Sequence, residues 1–157
     1  MRNKLSLNLL TLLFLTMWIA FSSTSLASKL PEESPELNQL KAMGYELHDQ
    51  DKANTDLSVL TNGTTILNIE KHTNRTVVYR TFSRKQLSDK QEVELLRQVN
   101  QLNLKYGYQV YVEDGSLTFA IFIYGPYNAK TFATVIRLLE TSNSILTNNE
   151  KLYQLMK

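Results

Sequence analysis

The sequence predicts an α+β domain of two layers, an antiparallel sheet with helices packed on one face, preceded by a signal peptide. Three observations carry this prediction. A capped amphipathic pattern runs from Ser88 to Asn103, Asp114-Gly115 joins two alternating apolar runs, and Asn62-Gly63 and Thr73-Asn74 punctuate three β-rich stretches. The expected order is α-β-β-β-α-β-β-α.

Residues 1–27 read as the signal peptide. Arg2 and Lys4 form a basic start, Leu5–Phe21 the apolar run, and Ser25-Leu26-Ala27 a small-residue end, so cleavage is expected after Ala27. The competing reading is a retained anchor. A spanning helix needs about 20 mainly apolar residues, and Ser6, Asn8, Thr11 and Thr16 interrupt this shorter run. No Cys follows it, which excludes lipid attachment at a lipobox.

Of 17 basic and 15 acidic side chains, residues 1–27 hold two and none, leaving 15 of each in the mature chain. That neutral balance argues against nucleic acid as a partner, because phosphate binding depends on net positive charge. Residues 28–157 are one domain's worth of chain, enough to bury roughly two-thirds of its surface. An exported chain with no Cys fits a bacterial envelope better than a eukaryotic secreted domain. The expected location is periplasmic or secreted.

Residues 28–33 are polar, contain Pro31 and read as a short tether; residues 34–157 make the domain. Ser34-Pro35-Glu36 starts a helix, with Ser at the cap and an acid near the positive dipole end. Leu37, Leu40 and Met43 share its face, and Gly44 stops it. Glu46–Thr55 is highly polar and reads as a loop. Asp56–Thr61, Thr64–Lys71 and Arg75–Phe82 then form a three-stranded meander through the turns at Asn62-Gly63 and Thr73-Asn74.

Ser88-Asp-Lys-Gln91 has the form of a capping box for the next helix. Val93, Leu95, Leu96, Val99 and Leu102 recur at helical spacing, leaving Glu92, Glu94, Arg97 and Gln101 for water. Asp114-Gly115 supplies the positive-φ pair of a type I′ turn. On its second strand Leu117, Phe119, Ile121 and Ile123 alternate onto one face, facing Tyr108, Val110 and Val112. Gly125-Pro126 ends the strand, and Asn128 caps a long helix with Phe132, Val135, Ile136 and Leu139 on one face. Ser142–Ser144 and Thr147–Asn149 weaken that helix, and Glu150–Met156 reads as a separate piece.

This order of elements, together with Asn100-Gln-Leu-Asn103, Tyr106 and the hairpin from Tyr108 to Tyr124, resembles the YbjN-like family over roughly Leu37–Leu146. These are bacterial proteins described as putative sensory-transduction regulators. The resemblance implies a fold similar to class I type III secretion chaperones, which are commonly dimers that bind extended peptide segments. It implies no active site. The export signal departs from the family's better-known cytoplasmic members.

Chemistry has few candidates. Glu46, His48, Asp49 and Asp51 gather metal-type ligands in one loop, yet in no recognised ligand spacing, so solvated charge is the expected reading. An envelope enzyme or metal-binding protein using this Glu46–Asp51 loop is the alternative function. His48 and His72 are the only histidines, and no nucleophile elbow or phosphate-cradling loop occurs. No catalytic residue, metal or cofactor is therefore expected. Asn100 and Asn103 lie near a helix end, where Asn commonly caps. Lys71, Arg75, Arg80, Arg84 and Lys85 give one hairpin a basic bias, suited to an anionic surface or to deterring edge aggregation. Asn62-Gly-Thr64 and Asn74-Arg-Thr76 match glycosylation acceptors, but in a bacterial protein they are turn chemistry.

Tyr111, Phe122 and Tyr124 fall on the face opposite Val110, Val112, Phe119 and Ile121. If helices cover one side only, these aromatics form a partner surface; if the first or last helix covers them, they are core. Both readings stand at this point. The expected function is an exported non-enzymatic module that binds a protein or peptide, a second copy of the chain included. A membrane enters only if the N-terminal segment is retained.

Overall fold

The computed structural model describes residues 28–48, 57–113 and 115–156. The signal segment, Asp49 and Asp51 of the polar loop, and Asp114 of the expected turn lie outside the described residues. The elements are α1 (Pro35–Ala42), β1 (Glu46–Leu47), β2 (Ser58–Thr61), β3 (Ile66–Lys71), β4 (Arg75–Ser83), α2 (Asp89–Lys105), β5 (Gln109–Glu113), β6 (Ser116–Tyr124), α3 (Ala129–Glu140), α4 (Ser142–Asn148) and α5 (Glu150–Met156).

Six antiparallel strands form one sheet in the order β1-β2-β3-β4-β6-β5, with helices on one face, so the domain is α+β as its sequence predicts. The hairpin β5–β6 joins the meander through its second strand: β6 pairs with β4 along its whole length, from Arg75 opposite Tyr124 to Ser83 opposite Ser116. β4 is thereby a central strand. One face of the sheet contributes Leu60, Leu67, Ile69, Val78, Leu117 and Phe119 to the core. Onto them pack Leu37 and Leu40 of α1, Leu95 and Val99 of α2, and Phe132 and Ile136 of α3. Phe119 lies at its centre, with Tyr108 and Phe82 meeting its ring edge-on at centroid distances of 5.7 Å each.

The caps follow the sequence. Ser34 Oγ accepts from Leu37 N at 3.2 Å, and Asn128 Oδ1 accepts from Thr131 N at 2.9 Å. Gln91 Oε1 reaches back to accept from Ser88 N at 3.1 Å. Gly44 (φ +87°) ends the α1 turn in the left-handed region that a side chain disfavours.

Several elements differ from expectation. Within the expected loop, Glu46 and Leu47 pair with Thr61 and Leu60 as an edge strand. Asn62-Gly63 sits in a four-residue connection between paired Thr61 and Ile66. There Asn62 Oδ1 accepts from Thr64 N (3.1 Å) and Thr65 N (2.9 Å), so its side chain replaces a tight two-residue turn. The expected tether is docked: Leu30 is buried, its N donates to Ser58 Oγ at 2.8 Å, and Ser28 exchanges two backbone bonds with Lys71. Glu150–Met156 is a separate helix as expected, and the preceding helix breaks once more, at Thr141, where Ser and Thr side chains compete for the backbone.

On α2, Val93 and Leu96 are 68% and 51% exposed, not core, whereas Gln98 is 4% exposed. The buried arc is Leu95, Gln98, Val99 and Leu102, a clean i, i+3, i+4, i+7 set. Gln98 tolerates burial because its amide is satisfied, donating to Glu94 Oε1 at 2.7 Å and accepting from Asn149 Nδ2 at 3.4 Å.

Candidate functional site

Register decides which side chains share the second face of the sheet. Val77 pairs with Glu70 on β3 and with Phe122 on β6. Tyr79 pairs with Asn68 and Ala120, Arg75 with Tyr124, and Thr118 with Tyr111 on β5. Cross-strand neighbours project to the same side, so Tyr111, Phe122 and Tyr124 stand together on the face away from the helices. None of the three belongs to the core cluster. Among the described residues this face carries no helix, which corrects the reading that α1 or α3 buries the rings.

The rings leave a hollow of about 300 Å³. Tyr79, Tyr111 and Phe122 are its aromatic lining and Val77 its aliphatic one, while Glu70, Glu113, Arg75 and His72 supply charge and polarity. Tyr124 stands beside Arg75 outside that lining and is 67% exposed. Tyr111 and Phe122 are half-buried.

The polar groups are ordered. Tyr79 Oη donates to Glu70 Oε1 at 2.9 Å, and His72 Nε2 lies 3.5 Å from Glu70 Oε2. His72 is thus part of this wall. The Arg75 guanidinium lies 5.3 Å from the centroid of Phe122, a cation over a ring face. Its Nε is buried without a hydrogen-bond partner among the described residues. Burial, then the bond to Glu70, then the negative charges of Glu70 and Glu113 hold the Tyr79 phenol above its ordinary ionisation range. Burial, then Glu113, then Glu70 do the same to Tyr111.

The other candidates separate. Glu46 and His48 are exposed on or beside the edge strand, and among the described residues no group of three or more His, Cys, Asp or Glu gathers. The basic bias of Lys71 to Lys85 meets partners within the domain, on β3, β4 and the connection that follows β4. Lys71 pairs with Glu36, Arg84 with Glu92 at 2.7 Å, and Arg80 lies 4.8 Å from the Phe82 ring centroid. Lys85 Nζ donates to Gln154 O at 3.0 Å. Neither an anionic docking surface nor edge protection describes them. Asn103 does not cap its helix either; its amide holds the backbone of Val110 on β5. Asn100 is exposed.

Glu70, Tyr79 and Glu113 were not singled out by sequence reasoning. Their signal was alternation within β3 and β4, usable only once the pairing of β4 with β6 is known. A larger hollow of about 800 Å³ lies on the helical side, between the end of α2 and α4, lined by Tyr106, Tyr108, Leu138 and Ile145 among others. The Tyr108 hydroxyl there is already engaged, donating to Leu138 O at 2.6 Å.

Among the described residues no helix is long and apolar enough to cross a membrane. No protein-family model matches the chain, and no curated protein matches it.

Proposed function

We propose that this chain is an exported, non-enzymatic module that binds a protein or peptide on the helix-free face of its sheet. The observation that carries the reading is the aromatic hollow. Tyr79, Tyr111 and Phe122 present ring surface beside exposed Tyr124, where a monomer gains nothing from it. Aromatic residues are enriched at the centres of protein interfaces because they bring large contact area at low entropic cost. The bonded Tyr79–Glu70 pair and the stacked Arg75 hold that surface in shape before a partner arrives. The element order and Asn100-x-x-Asn103 support placing the module with YbjN-like, secretion-chaperone-like proteins. The signal-like residues 1–27 support a periplasmic or secreted location.

The test compares the exported wild-type protein with a Tyr111→Ser/Phe122→Ser double variant. Capture from the native envelope is followed by identification of what co-purifies, and light scattering reports self-association. The double variant is expected to lose the captured partner or the dimer while keeping its far-UV circular dichroism. Undiminished capture and unchanged mass would sink the reading.

A further inference from the structure

The hollow is not uniformly charged, and its asymmetry says what kind of side chain enters it. Arg75 pairs with Tyr124, the last residue of β6, and its guanidinium is committed to the Phe122 ring. Glu113 pairs with Ser116, the first residue of β6, at the other end. Between them stand Tyr79 and Tyr111. The Glu113 side chain is exposed and has no hydrogen bond or ion pair among the described residues, whereas that of Glu70 is held by Tyr79 and His72. Both carboxylates act on both tyrosine hydroxyls. The tyrosine end is therefore electronegative, and its walls are ring faces, themselves attractive to cations.

We infer that the Tyr79–Tyr111 end of the hollow receives a Lys or Arg side chain of the bound polypeptide, with Glu113 as its ion-pair partner and the phenol rings against its aliphatic stem. The inference rests on the proposed binding face and narrows what binds there. A basic side chain suits such a site because its methylene stem packs on apolar surface while its head stays at the charged rim. Arg75 and Phe122 at the other end offer donors and an occupied ring face, so that end takes the neighbouring backbone carbonyl or an uncharged side chain.

The probe is a display library of random nonapeptides selected on the intact exported protein, with parallel selections on Glu113→Gln and on Tyr111→Ser/Phe122→Ser. Wild-type binders are expected to carry Lys or Arg at one fixed position. Replacing that residue with norleucine in a synthetic binder should weaken binding about threefold, as loss of a partly exposed ion pair does. Glu113→Gln should abolish the Lys/norleucine difference, and added salt should shrink it. Binders that depend on Tyr111 and Phe122 but show no basic preference overturn this inference and leave the binding face standing. Binders indifferent to Tyr111 and Phe122, or no binders at all, overturn both.

Discussion

The side-chain amide of Asn103 holds both backbone polar groups of Val110. Its Nδ2 donates to Val110 O at 2.8 Å and its Oδ1 accepts from Val110 N at 2.6 Å. Val110 lies on β5, which ends the sheet, so α2 occupies part of the edge where another strand could pair. Asn103→Ala should cost about 1–3 kcal/mol, the range for leaving buried backbone groups unpaired. Asn103→Asp keeps the acceptor and loses the donor, and should be intermediate or worse. Urea denaturation measures both; an Asn103→Ala variant as stable as wild type removes the role.

Glu36 is nearly fully buried at the start of α1 and is paired with Lys71 at the end of β3. Removing Lys71 leaves a buried carboxylate whose remaining support is the helix N-terminus. Lys71→Met should cost less than the ~3–5 kcal/mol of a fully buried pair, because Lys71 remains about a third exposed. Adding Glu36→Gln should recover part of the loss. A double-mutant cycle with no coupling contradicts the account.

The two apolar arcs of α2 should respond differently to substitution. Val93→Lys and Leu96→Lys, on the exposed arc, are expected to change stability by no more than about 0.5 kcal/mol. Leu95→Ala, on the buried arc, should cost about 2–5 kcal/mol. Thermal unfolding of the three variants checks it. Large losses at Val93 and Leu96 would mean that this arc is covered in solution, and gel filtration would then report a dimer.

Alkaline pH should unfold the domain through its tyrosines. Tyr45, Tyr79, Tyr108 and Tyr111 all ionise above their usual value, in each case chiefly because burial disfavours the phenolate. Carboxylate partners add to this at Tyr45 and Tyr79. The folded state thus prefers the neutral phenol. This contribution is complete below the unfolded value of about 10 and is lost as pH rises above it. Tyrosinate absorbance from these four should lag and then appear together with loss of circular dichroism. Full ionisation near pH 10 with an intact spectrum is the contrary result.

Local chemistry made much of this fold legible. Ser34 and Asn128 bond as caps, Gly44 and Gly125 adopt positive φ, and the alternation from Leu117 to Ile123 points where it was expected to point. What escaped was tertiary. Glu46 and Leu47 become a strand only because β2 lies beside them, and no propensity announces that. Val93 and Leu96 continue an apolar pattern that the sheet leaves uncovered. The aromatic residues of the site were legible because two-residue periodicity fixes a face. Glu70 and Glu113 were not, because a polar residue on an open face looks like any solvated charge until its neighbours are known.

The pairing of β4 with β6 also sets an order of events as the chain leaves the ribosome or a translocation pore. From Ser83 onward, β4 waits for a neighbour that is made only after α2 and β5. Until then the longest strand of the first half has one side unpaired, beside apolar Val77 and Val78. Docking β6 closes a loop spanning all of α2 and β5, and such closure carries an entropic cost before any contact returns it. The first half of the chain therefore lacks the partner of its longest strand until the β5–β6 hairpin is made.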